Sequence, residues 1–302
     1  MKWIFWILGI LVLGFLLFTE ELYRYVFCRR TSRLFCRLFD TKGHEEAYYA
    51  YREAGVKLLD SLPQETFLLE SCRGETLRGH YYPQGSQGKK IAVIVHGYRS
   101  DHADTAALCC RYYMDRGIDF FAMDHTASGE SAGRFIGFDV FETEDSLRWV
   151  DFLIEKFGPD TQLLLHGFSM GAATVMRMSS RCPENVKFIV EDSGFRVAGA
   201  SMRQQVKFMY EPLRLLNRWI AGYDWNDSDV TASLKRSRIP MLFVHGREDK
   251  LVPFENGPFL YSLYEGEKDC LFPEKTRHIE SMYTSGQEYA EKLDRYMMRY
   301  MK

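Results

Sequence analysis

The chain lacks a C-x-x-C pair, an internal repeat, a low-complexity tract and an excess of charge of either sign. Its seven cysteines, Cys28, Cys36, Cys72, Cys109, Cys110, Cys182 and Cys270, are odd in number and scattered. Neither structural zinc sites nor disulfide frameworks use such spacing. The thiols therefore read as reduced and buried, which leans towards a reducing compartment. With 39 Lys and Arg against 41 Asp and Glu the formal net charge is −2, so bulk charge gives no reason to expect a nucleic-acid partner. No Asp, His and Cys spacing suggests a catalytic metal. What is present is an ordinary globular composition, 46% apolar, in 302 residues, enough for one large domain or two modest ones. The 18 Tyr and 22 Phe fit a thick core and an apolar pocket.

Charge is also missing from Trp3 to Thr19, 17 residues that sit at the short end of what spans a bilayer as a helix. The stretch before Glu20 and Glu21 lacks a small-x-small cleavage site. Cys28, preceded by Tyr25-Val26-Phe27, does not resemble a lipoprotein box. A buried core helix would rarely sit at the extreme N-terminus and be apolar on all faces. Residues 1–22 are thus expected to be an uncleaved membrane anchor with the lipid bilayer as partner. Only Lys2 precedes the span, whereas Arg24, Arg29, Arg30, Arg33 and Arg37 follow it, which puts the remainder in the cytoplasm by the positive-inside rule.

Residues 23–63 read as a basic, aromatic helical connector that Pro63 ends. From residue 64 to 302 short apolar runs alternate with amphipathic stretches. A leading antiparallel pair, TFLLES and TLRGHYYP, precedes the strands KKIAVIVHG, IDFFAMD, TQLLLHG, VKFIVED, IPMLFVHG and KDCLFPE. The helices expected between and after them include Val140–Phe157, Ser169–Arg181, Glu255–Tyr264 and Tyr283–Met301. Such alternation implies an α/β fold, a mainly parallel sheet with helices on both faces. A departure at about 194–238, helical and rich in bulky apolar residues, reads as an inserted lid. Its Phe208, Trp219, Tyr223 and Trp225 hint at an apolar acyl group.

Within GFSMG, Ser169 stands between a buried strand and a helix, with Gly167 and Gly171 two positions to either side. A turn sharp enough to lift a serine hydroxyl off a sheet brings backbone atoms together, so those two residues must be small. The new helix also points N–H groups at charge developing near the serine. A serine needs a base, and the base an orienting acid. Among eight histidines, His96, His166 and His245 sit in apolar-run-then-Gly contexts and read as structural or pocket-lining. His44 lies in the connector, His80 in a leading strand, and His102 begins a helix. His278 follows the last strand, on the rim that carries Ser169, and is the expected base. Asp249, in HGREDKLVP after the penultimate strand, is the expected acid, with adjacent Glu248 the alternative. The order Ser169, Asp249, His278 is the one expected for this elbow. The oxyanion donors would be the N–H groups of Met170 and of Tyr98, in the turn after IAVIVHG.

These residues, His96-Gly97-Tyr98, Gly167-Phe168-Ser169-Met170-Gly171, Gly246-x-x-Asp249-x-x-Val252-Pro253 and His278, resemble the α/β-hydrolase family over roughly Phe67 to Met301. More narrowly the chain resembles membrane-anchored bacterial hydrolases of the serine aminopeptidase and acyl-esterase branches. The resemblance implies an eight-stranded core, an acyl-enzyme mechanism and no cofactor. Where many relatives carry D-x-R-G-x-G-x-S, this chain reads Asp124-His125-Thr126-Ala127-Ser128-Gly129-Glu130-Ser131, so the Arg-Gly pair is missing beside the site. The expected activity is hydrolysis of ester-type acyl bonds on a small-molecule substrate. A serine peptidase, a thioesterase or acyltransferase, and an inactive membrane-anchored binding module are the alternatives.

Overall fold

The computed structural model describes residues 2–30 and 44–302; Arg33, Cys36, Arg37 and the middle of the expected connector lie outside them. The N-terminal helix α1 (Lys2–Phe27) is unbroken, and every residue from Trp3 to Phe18 is exposed. Its apolar stretch has a mean hydropathy of 2.1 and enough length to cross a membrane. The boundary expected at residue 22 falls inside this helix. Beyond it, Leu22, Tyr23, Val26 and Phe27 are buried in the core of the domain. At ~2 kcal/mol per buried side chain, these four contribute on the order of 8 kcal/mol of gross burial. Helix α2 (Glu46–Ser61) follows and stops before Pro63, which disfavours a helical residue ahead of it.

Strands β1 (Glu65–Glu70) and β2 (Thr76–Tyr82) form the expected antiparallel pair, from Glu65 opposite Tyr81 to Glu70 opposite Thr76. β2 is also antiparallel to β4 (Asp119–Asp124). The remaining pairs are parallel: β3 (Lys90–Val95), β4, β5 (Gln162–Phe168), β6 (Val186–Asp192), β7 (Met241–Val244) and β8 (Lys268–Leu271). The eight strands lie in the order β1-β2-β4-β3-β5-β6-β7-β8. The inner strands are buried on both faces, which is why they read as continuous apolar runs rather than alternations.

Helices α3 (His102–Met114), α4 (Val140–Phe157) and α5 (Met170–Met178) supply the crossovers. One face of the sheet packs Phe121, Trp149, Leu165 and Phe243 together with Phe27 and Trp225. The other packs Tyr113, Phe120, Phe168, Phe188 and Tyr289. Between β6 and β7 the lid is helical as expected, with α6 (Ala198–Val206), α7 (Tyr210–Ile220) and α8 (Thr231–Arg236). Tyr223 and Trp225 are buried beneath it, whereas Phe208 and Trp219 point outward, so the four lid aromatics divide between two surfaces. Helix α9 (Asn256–Leu263) joins the last two strands. The single C-terminal helix expected over 283–301 is instead α10 (Ser281–Thr284) and α11 (Gly286–Tyr300), separated at Ser285, whose φ and ψ of −132° and 33° are not helical.

Candidate active site

Ser169 opens α5 with φ 55° and ψ −116°, a conformation costly for any residue with a Cβ. The helix therefore starts at Met170, one residue later than expected. The turn is tight enough to exclude side chains on both sides. A Cβ on Gly171 would lie 2.0 Å from the Val95 carbonyl oxygen, and one on Gly167 would lie 2.2 Å from the Gly171 carbonyl oxygen. Ser169 donates its N–H to the Asp192 carbonyl at 2.8 Å, which ties the turn to the end of β6.

The loops after β7 and β8 converge on this serine. His278 Nε2 lies 2.9 Å from Ser169 Oγ, and His278 Nδ1 lies 2.6 Å from Asp249 Oδ2. Both His278 and Asp249 are buried, and Ser169 is part-exposed. Asp249 Oδ1 accepts the N–H groups of Leu251 and Val252, each at 2.9 Å, which fixes the carboxylate plane. His245 Nε2 donates to the Val252 carbonyl at 2.9 Å and sits 3.4 Å from Asp249 Oδ2. Burial would raise the Asp249 pKa, but the His278 charge and the hydrogen bonds from His245 and His278 outweigh it and hold this carboxyl well below the usual range. Glu248 is exposed, with its N–H on the Thr276 carbonyl, and its neighbour occupies the position beside the imidazole. Ser193, at φ 62°, accepts the Ile279 N–H on its Oγ and donates to Asp192, so the residue after His278 is pinned to the end of β6.

The turn after β3 lies against the serine: a Cβ on Gly97 would be 3.2 Å from that of Ser169. Met170 is the first residue of α5, where an N–H has no intrahelical acceptor. Tyr98 follows Gly97, and its phenol hydroxyl lies 2.9 Å from the Val26 carbonyl and 3.1 Å from that of Tyr25. Arg99 donates from Nε to the Tyr25 carbonyl at 3.1 Å and from Nη2 to that of Cys28 at 3.0 Å. A guanidinium thus caps the C-terminal carbonyls of α1, where helical N–H partners run out and the dipole is negative. Beneath the turn, His96 Nε2 accepts the His125 N–H at 3.0 Å, so its proton sits on Nδ1 and is donated to the Gly97 carbonyl at 2.7 Å.

Sequence spacing brought Ser169, Asp249 and His278 to the same rim, and the structure places them in hydrogen-bond contact. It gave no sign of the His245 contact, the Ser193 pin or the Arg99 cap, because each depends on loop paths rather than on a motif. His166 is structural, held between the Tyr113 and Tyr289 hydroxyls at 2.8 Å each. His125, beside the altered loop, is fully buried, and burial pushes its pKa well down, so it is neutral and does not line the cleft. His44 instead reaches Glu280 at 2.7 Å and steadies the His278 loop. Among the described residues, His80, His102 and Asp124 place donor atoms within 4.8 Å of one another, a spacing a metal could use. Hydrogen bonding accounts for most of it: Asp124 accepts the N–H groups of His102 and Glu130 and contacts His102 Nδ1 at 3.1 Å. Burial would raise the Asp124 pKa, but the His102 and backbone bonds bring it down to about 2.

Eight strands with a single antiparallel member near one edge, a serine on a strained strand-to-helix turn and rim loops converging on it have the architecture of the α/β-hydrolase fold. A family model described as "Serine aminopeptidase, S33" matches residues 86–222. An uncharacterized protein, YqkD of Bacillus subtilis, is 21% identical over 79% of this chain and 80% of its own length. Among solved structures, the Pyrococcus furiosus esterase Pf2001 superposes with a TM-score of 0.65 at 19% identity, covering 80% of this chain and 92% of that one. Est1E of Butyrivibrio proteoclasticus, solved with ferulic acid bound, gives 0.60 at 16% identity, covering 78% and 99%. At these identities the structural likeness speaks for the fold.

Proposed function

We propose that the protein hydrolyses carboxylic-ester acyl bonds through Ser169, His278 and Asp249. The observation that carries this is the unbroken hydrogen-bond chain from Ser169 Oγ through the imidazole to a carboxylate held ionised. With Asp249 accepting the Nδ1 proton, His278 Nε2 is bare and takes the serine proton as Oγ attacks the acyl carbonyl. The N–H groups of Met170 and Tyr98 stabilise the tetrahedral oxyanion. The imidazolium returns the proton to the leaving alcohol, and a water, deprotonated by the same nitrogen, releases the acid and restores Ser169. No cofactor enters this sequence.

We further infer that α1 stays attached as a membrane anchor. A signal sequence is removed by cutting after its apolar run, yet here the same helix continues into the core with Leu22, Tyr23, Val26 and Phe27. Cutting there would uncover that apolar surface. Arg24, Arg29 and Arg30 on the domain side support a cytoplasmic domain. A C-terminal reporter should behave as cytoplasmic; protease access to the domain in intact cells would reverse the orientation.

The description of the matching family model favours a second reading, a peptidase using the same three residues. The two separate on paired substrates sharing one acyl group. The full chain in detergent should cleave p-nitrophenyl esters far faster than the corresponding anilides or peptides. Faster cleavage of anilides would establish the peptidase instead, and an absence of turnover on both with no covalent labelling would leave a binding module.

A further inference from the structure

We propose that the outer face of the lid lies on the bilayer that α1 crosses, so that the site draws its substrate, a membrane-resident acyl ester, from the lipid. This rests on the ester-hydrolase reading and on α1 as an anchor.

Helix α7 is apolar on two opposite faces. Tyr210, Leu213 and Asn217 turn into the domain. Pro212, Leu215 and Trp219 on α7, with Phe208 in the 3₁₀ turn just before it (Lys207–Met209), make a second stripe on the outside. Phe208 is 78% exposed, Leu215 60% and Trp219 83%. A soluble surface rarely presents aromatic residues in a row at helical spacing. Arg203, Lys207 and Arg218 flank the stripe, with Glu211 paired to Arg203 and Arg214, a net basic border of the kind a helix in a membrane interface carries.

The inner face of α7 is tied to the base of the membrane-crossing element. Asn217 on α7 accepts a hydrogen bond from the Tyr23 hydroxyl of α1 at 3.2 Å. The Phe27 ring packs against Trp225 beneath the lid at 5.0 Å. Tyr23 lies four residues past Thr19, the last uncharged residue of the span, or about 6 Å along the helix. That depth is the headgroup layer, within reach of a tryptophan side chain. Charge agrees with position. Arg24, which also pairs with Glu20, and Arg29, Arg30 and Arg134 line one cleft of about 560 Å³ where α1 leaves the apolar stretch, and among the described residues no acidic side chain lines it. Four guanidinium groups at that depth complement anionic headgroups.

The orientation follows from rigid attachment. The anchor is bonded to the lid through Asn217 and to the Tyr98 turn through Tyr98 and Arg99. The lid and the Tyr98 turn, which lies against Ser169, therefore hold a fixed height above the bilayer.

The test uses the full chain in nanodiscs of phosphatidylcholine and phosphatidylglycerol. The emission of Trp219 is isolated as the difference between wild type and Trp219→Phe, because Trp3 and Trp6 also lie in the apolar helix. Lipids brominated high on the acyl chain should quench that difference by at least half. An unquenched, water-like difference spectrum would overturn the placement, as would two copies per disc burying the stripe against each other. In the second arm, Phe208→Ser/Trp219→Ser should lower kcat/KM about tenfold for a long-chain acyl ester in the disc and leave a soluble short-chain p-nitrophenyl ester within twofold. An equal fall on both esters would overturn the substrate assignment. If wild type cleaves neither ester the hydrolase reading fails with its substrate, while quenching still decides where the lid lies.

Discussion

Replacing Asp249 by Asn tests the site at the atom that sets the histidine tautomer. In the native protein Asp249 Oδ1 accepts two backbone N–H groups, from Leu251 and Val252, and Oδ2 faces His278 Nδ1. An asparagine can keep the two backbone bonds only by placing its carbonyl oxygen there. Its NH2 then points at Nδ1 and can only donate. His278 must move its proton to Nε2, which leaves no lone pair to accept the Ser169 proton. The geometry stays and the base is lost. A tautomer inversion of this kind in a serine protease lowers kcat about 10⁴-fold, which is ~5 kcal/mol of barrier. Hydrolysis of a p-nitrophenyl ester at pH 7.5, with circular dichroism to establish folding, measures the effect. Glu248→Gln, one residue away and exposed, should stay within twofold. A fall of less than tenfold for Asp249→Asn, or an equal fall for Glu248→Gln, would refute the assignment of the acid.

Gly171→Ala would place a Cβ 2.0 Å from a backbone oxygen that cannot yield; it should cost more than about 3 kcal/mol by denaturant unfolding, while Gly286→Ala, with open space around it, costs under about 1 kcal/mol. Asp139 is fully buried at φ 80°, and burial pushes its pKa up to about 8. The folded state therefore holds a proton that the unfolded chain releases near pH 4, so stability falls as pH rises from about 4 to 8 and then levels. Asp139→Asn, suited to the same backbone, should raise Tm, by more at pH 8 than at pH 5; an equal gain at both would show that the carboxyl is ionised in place. Arg99→Ala removes donors to the last carbonyls of α1 and should lower both Tm and kcat, with KM for a short soluble ester little changed. Unchanged kcat would mean that the Tyr98 turn holds its shape without the cap.

The sheet was legible because its signals are local. β3, β5 and β6 are buried on both faces and announce themselves as apolar runs, and the Gly167-x-Ser169-x-Gly171 spacing follows from backbone contact at one turn. The meeting of Asp249 and His278 with Ser169 was legible because parallel strands deliver their following loops to one rim. The burial of the C-terminal end of α1 in the domain was not. Leu22, Tyr23, Val26 and Phe27 continue an apolar helix, and nothing in their spacing tells lipid from protein as the surrounding medium. The division of the lid aromatics into buried Tyr223 and Trp225 and exposed Phe208 and Trp219 is likewise a matter of which face meets the core. Arg99 and Ser193 act through backbone groups far away in sequence, which leaves no pattern to read.

The most direct test of the central claim is covalent labelling. A fluorophosphonate probe added to the full chain in detergent should give one adduct, and peptide mass spectrometry should place it on Ser169 with none formed in Ser169→Ala. An adduct on another residue, or labelling that persists in the folded Ser169→Ala variant, would contradict it.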